Sequence, residues 1–167
     1  LRVLADYLWR HFDADMYAKS IIAGKKENQT DIHNLNKEAL GLNGCTRDMA
    51  KTFIYAWLLG AGVVKTAQIL KVNMKEAQAA RTRFEMNIDG LYNLKNQFVP
   101  HVAEQGYFTG YDGRKVIVPN EHKTLAGILQ NGEACLMKHS LLKWHDRARK
   151  DGIAFKMVGF IHDEYQV

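Results

Sequence analysis

Apolar residues recur at helical spacing from the start of the chain. Val3, Leu4, Tyr7, Leu8 and Phe12 fall on one face, and Met16, Tyr17, Ile21 and Ile22 continue the pattern. Residues 24–29 are polar and read as a loop. Asp31 suits the N-cap of a short helix ending near Gly41. Thr46 suits that of a helix from Arg47 to about Leu59, stopped by Gly60 and Gly62. A further helical pattern starts near Met74 and places Ala77, Ala80, Phe84, Ile88, Leu91, Phe98 and Val102 together. Asp89-Gly90 is expected to kink or split it.

Past residue 105 the period changes. Residues 106–109 and 115–118 flank Tyr111-Asp112-Gly113, which predicts a β-hairpin. A long helix follows from about His122 to Lys150, with Leu125, Leu129, Gly132 and Leu136 on one face. Asp151-Gly152 ends it. Two strands close the chain, over residues 155–161 and 164–167, with His162-Asp163 at the turn. Helices, a hairpin, a long helix and a second hairpin make an α+β class that is mainly helical.

The 167 residues suffice for one domain with a core, and 47% hydrophobic with 25% charged is an ordinary globular balance. The net charge of +5 and pI near 9.2 favour an anionic partner, nucleic acid first. Cys45 and Cys135 stand apart from each other and from any CxxC pair. They suit a reducing compartment, the cytoplasm (a host cell's if the source is viral), and speak against a disulfide framework or zinc finger. No run reaches the roughly 18 apolar residues of a membrane helix, so no membrane partner is expected.

The helix after Thr46 carries the first candidate chemistry. Arg47, Lys51 and Tyr55 are four apart and form one stripe, while Phe53, Ile54, Trp57 and Leu58 fall largely elsewhere. Two cations one turn apart can hold a polyphosphate, Arg as a planar fork and Lys as a point charge. An aromatic on the next turn can lie against a sugar or base. By spacing alone, an amphipathic helix with solvated cations fits at least as well.

The wording around the stripe separates these readings. Thr46-Arg47-Asp48-Met49-Ala50-Lys51-Thr52-Phe53-Ile54-Tyr55, then Leu58-Leu59-Gly60-Ala61-Gly62, resembles the fingers helix of family A DNA polymerases, nearer to its short-tailed bacteriophage branch. Asp31-Ile32-His33 resembles that family's "DIH", residues 104–107 with 112–115 and Pro119 its "EQGY…DGRR…P", and His162-Asp163-Glu164 its "HDE". Lys75-Glu76-Ala77-Gln78 also recurs in members at this point, and the segments keep the family's order along essentially the whole chain. The resemblance implies template-directed DNA synthesis, a nucleotidyl transfer from dNTP to a primer 3′-hydroxyl. It implies dNTPs and primer-template DNA as partners, and leaves room for a processivity factor that these residues do not identify. Residues from about 20 to 105 would be fingers helices, and 1–20 and 106–167 palm-side helices and hairpins, of a polymerase domain cut at both ends.

Site roles follow from the same resemblance. His33, Arg47 and Lys51 would hold the triphosphate, and Tyr55 would pack beside sugar and base with its hydroxyl near the 3′ side. Gln130 would donate to the minor groove, where purine N3 and pyrimidine O2 accept in every base pair. Arg114 and Lys115 would meet backbone phosphates. Asp163 would bridge two Mg²⁺ ions, with Glu164 an outer metal contributor and His162 orienting the primer end. Two ions about 4 Å apart need carboxylates from separate strands. The partner Asp would fall just before Leu1, so the isolated chain is expected not to polymerise. Leu59, Ala126 and His122 stand where members often carry Tyr, Asn and Arg. The alternatives are a non-catalytic basic DNA-binding module and, far behind, a metal-dependent phosphodiesterase.

Overall fold

The computed structural model describes residues 1–161 and 164–167. Helix α1 (Arg2–Phe12) buries Leu4, Ala5, Tyr7 and Leu8. The apolar period runs on past Phe12, but the helix does not. Asp13 turns left-handed at φ 53°, and the amide of Ala14 reaches back to the Leu8 carbonyl at 3.3 Å. A short polar residue tolerates this conformation and closes the helix as glycine would. Helix α2 (Met16–Ala23) then starts afresh.

Local capping sets the next elements. Asp31 and Thr46 accept the amides of Asn34 and Met49 and open α3 (Ile32–Leu40) and α4 (Arg47–Leu58). Gly41 ends α3 at φ 58°, a conformation that favours glycine. Helix α5 (Val63–Leu70) is absent from the sequence expectation, because it buries only Thr66 and Leu70 and leaves little periodic signal. Asn73 caps α6 (Met74–Asn87).

The split expected at Asp89-Gly90 is present. Gly90 sits at φ +76°, and a Cβ there would meet Phe12 Cβ at 2.8 Å. The chain continues as α7 (Leu91–Asn93), a π-helical turn (Leu94–Phe98) and α8 (Val99–Gln105). Pro100 has no amide hydrogen for the carbonyl four residues back, so the ladder widens at that point.

Strands β1 (Tyr107–Thr109) and β2 (Lys115–Ile117) pair antiparallel, with Phe108 opposite Val116. Helix α9 (Glu121–Lys150) is the spine. It passes so close to α1 that a Cβ on Gly132 would lie 2.6 Å from Val3 Cγ1. Tyr111, at the tip of the first hairpin, donates to Asp6 of α1 at 3.0 Å. Strands β3 (Gly159–Ile161) and β4 (Glu164–Gln166) form the second hairpin, with Phe160 opposite Tyr165. The strand expected from residue 155 begins only at 159. Upstream, Phe155 packs edge-on to Trp144, ring centroids 4.7 Å apart, so that stretch lies along α9.

The core joins α1, α3, α4, α6 and α9, with Leu4, Leu8, Leu40, Ile54, Phe84 and Ile128 all but sealed. No helix among the described residues is long and apolar enough to cross a membrane.

Candidate functional site

One face of α4 is buried through Ala50, Phe53, Ile54, Trp57 and Leu58. Arg47, Lys51 and Tyr55 are left on the outer face, as their spacing requires, with Lys51 and Tyr55 exposed. Helix α3 packs against α4 and supplies the fourth residue. His33 is 9% exposed, and its ring centroid lies 6.2 Å from that of Tyr55. The four residues expected to act together therefore converge.

Arg47 is not a free cation. Its Nε lies 3.2 Å from Oδ1 and 3.1 Å from Oδ2 of Asp31, and its Nη2 also donates to Oδ2. This pairing joins the first turns of two helices, sixteen residues apart in sequence, which no spacing rule reaches. The guanidinium holds the Asp31 carboxyl at about 2, below the usual carboxylate range. Burial, then the charge of Arg47, pushes the His33 imidazole below its ordinary value, and Lys51 adds to this. His33 Nδ1 is buried without a hydrogen-bond partner among the described residues.

His33, Asp31 and Tyr55 open onto a cleft of about 620 Å³. Its opposite wall is α1 and α9, where Glu133 and Met137 face the same space. Glu133 was not singled out in the sequence; only the crossing of α9 over α1 brings it there. The Tyr165 hydroxyl donates to the Met137 carbonyl, which ties the second hairpin to this wall. Glu164 begins β4 opposite Ile161 and is exposed. His162 and Asp163 lie outside the described residues. Among those described, no three His, Cys, Asp or Glu side chains converge as a metal cluster.

The expected DNA contacts lie elsewhere. Gln130 is exposed on α9, not a buried helix amide, and lines a second depression of about 350 Å³ with Leu59, Val116 and Lys123. Tyr55 and Leu59, one turn apart on α4, thus open onto different depressions. Arg114 is bound to Asp112, its Nε 2.8 Å from Oδ2, and holds that carboxyl at about 2. The Lys115 ammonium sits 3.8 Å above the Tyr107 ring.

Comparison with known proteins gives a consistent result. The family model described as DNA polymerase family A matches residues 11–167. The chain is 32% identical to the DNA-directed DNA polymerase of Enterobacteria phage T3 and 31% to that of Escherichia phage T7. Each match covers 100% of this chain and 25% of the relative, so the chain spans a quarter of those proteins. In fold it resembles the POL domain of Pol1 from M. smegmatis, solved in complex with DNA primer-template and dNTP. That likeness has a TM-score of 0.76 at 18% identity and covers 98% of this chain and 30% of the other.

Proposed function

This chain belongs to DNA polymerase family A, and from that premise we propose that it is the nucleotide-gripping part of a polymerase that extends a DNA primer on a template from dNTPs. One observation carries the reading: His33 and Tyr55, from two helices, line one cleft, Arg47 is bonded to Asp31 on that same cleft wall, and the charges of Arg47 and Lys51 both act on His33. Residues from about 20 to 105 are the fingers, and the flanking residues belong to the palm side.

Each side chain has a task that its surroundings fit. Arg47 and Lys51 meet the triphosphate as fork and point charge, in an order set by one helical turn. His33, kept neutral by burial and neighbouring cations, offers a hydrogen bond without adding a third full charge. Tyr55 lays its ring beside sugar and base and holds its hydroxyl near the 3′ side. Gln130 meets the minor groove, and Arg114 and Lys115 meet phosphates of the primer-template.

Two Mg²⁺ ions would neutralise the leaving pyrophosphate and activate the primer hydroxyl in this family's chemistry. Asp163 and Glu164 of the second hairpin would hold them; Asp163 lies outside the described residues, and among those described no cluster of three ligands forms.

Single-nucleotide incorporation by the complete polymerase tests the reading. Lys51→Ala should raise the dNTP KM or abolish incorporation while leaving primer-template binding intact. Unchanged incorporation would favour a basic DNA-binding module, whose affinity for DNA would be indifferent to triphosphate and to Arg47.

A further inference from the structure

The Asp31 carboxylate has two tasks. Its Oδ1 accepts the Asn34 amide at 3.4 Å and closes the first turn of α3, and the Asn34 side-chain amide donates to the same oxygen. Both oxygens also receive Arg47, along the Nε–Nη2 edge of the guanidinium. A guanidinium has five N–H groups. This pairing uses one edge and leaves the Nη1 hydrogens and the outer Nη2 hydrogen for another acceptor. The carboxylate nearest Nη1 is Asp48 at 3.8 Å, too far to claim them.

A free arginine carries about 2 kcal/mol of rotamer entropy, and a ligand that needs it in one pose bears that cost on binding. Asp31 removes much of this freedom beforehand, and its own bonds to Asn34 stop it from following Arg47 elsewhere. Its negative charge works the other way, repelling an approaching polyphosphate. Positioning outweighs repulsion here because the carboxylate is already neutralised by a charge-assisted pair, with the Asp31 side chain only 14% exposed.

We propose that Asp31 is a positioning residue for the incoming nucleoside triphosphate, clamping one edge of Arg47 so that the other edge points at the phosphates. This rests on the nucleotide-gripping role of Arg47 given above. Asp31→Asn is the informative variant, since Asn caps a helix as well as Asp and removes only the charge and the strong clamp. In the complete polymerase, Asp31→Asn should raise the dNTP KM about tenfold with kcat within about twofold, the size of one charge-assisted hydrogen bond. Loss of the ion pair should also lower the melting temperature, so KM is read well below it, where the variant is fully folded. In an Arg47→Ala background the same change should add nothing further.

An unchanged or lowered KM in Asp31→Asn, with Arg47→Ala still raising it, overturns the positioning role and leaves Asp31 a cap or a competitor. Additive effects of the two substitutions overturn it too. If Arg47→Ala itself leaves KM unchanged, the nucleotide-gripping reading fails and takes this inference with it.

Discussion

The rings of His33 on α3 and Tyr55 on α4 lie with centroids 6.2 Å apart and planes inclined at 54°. Neither residue could take this place from its own helix alone. His33 is reached by following the buried side of α3, and Tyr55 by following the exposed side of α4, and the two surfaces meet at the cleft.

The lowered pKa of His33 has a consequence for stability. Its folded value lies below the ordinary 6.5 of the unfolded chain, so the unfolded state takes up a proton first as pH falls. Stability should therefore decline as pH drops through 6.5 toward the folded value. Urea denaturation of the wild type and of His33→Gln between pH 7.5 and pH 5 checks this, and the variant should show a flatter profile.

Tyr55 should govern the handling of terminators. In the complete polymerase, Tyr55→Phe removes the hydroxyl from the proposed 3′ side. Incorporation of dideoxynucleotides relative to dNTPs should fall at least about tenfold, the cost of one lost hydrogen bond in a closed site. Competition assays in which both species extend one primer report the ratio directly.

Phe84 anchors the fingers helices. It is 0% exposed and meets Phe53 edge-on at 5.0 Å and Trp57 at 5.6 Å. Phe84→Ala should destabilise the fold by about 3–5 kcal/mol, as large cavities in such cores do. An unfolding free energy from denaturant titration that falls by less than a third of that would mean the neighbours collapse into the gap.

The first hairpin should contribute unequally to DNA affinity. Lys115 rests on a neutral ring, whereas Arg114 is already paired with Asp112. Lys115→Ala should reduce the slope of log affinity against log salt by about one, the value for one phosphate contact. Arg114→Ala should reduce it by less, because Asp112 offsets part of that charge. Primer-template titrations at several salt concentrations separate the two.

Much of the architecture was legible along the chain. Asp31, Thr46, Gly41 and Gly90 each act through their own backbone neighbourhood, so their helix boundaries fell close to expectation. The break at Asp13 was hidden because the apolar period continues across it, and α5 because it buries two residues. The metal-binding expectation at Asp163 and the primer-orienting one at His162 fall outside the described residues, and Glu164 is seen only as an exposed strand residue.

By itself the sequence determined most of the elements, the family wording and the Arg47-Lys51-Tyr55 stripe. All three depend on backbone period and on bonds spanning a few residues. Tertiary structure alone decided that Arg47 is clamped by Asp31, that His33 stands beside Tyr55, that Glu133 faces the same cleft and that Gln130 is open to solvent. Those relationships join residues on different helices. Their distances are set by how buried faces interlock, and no local periodicity encodes that.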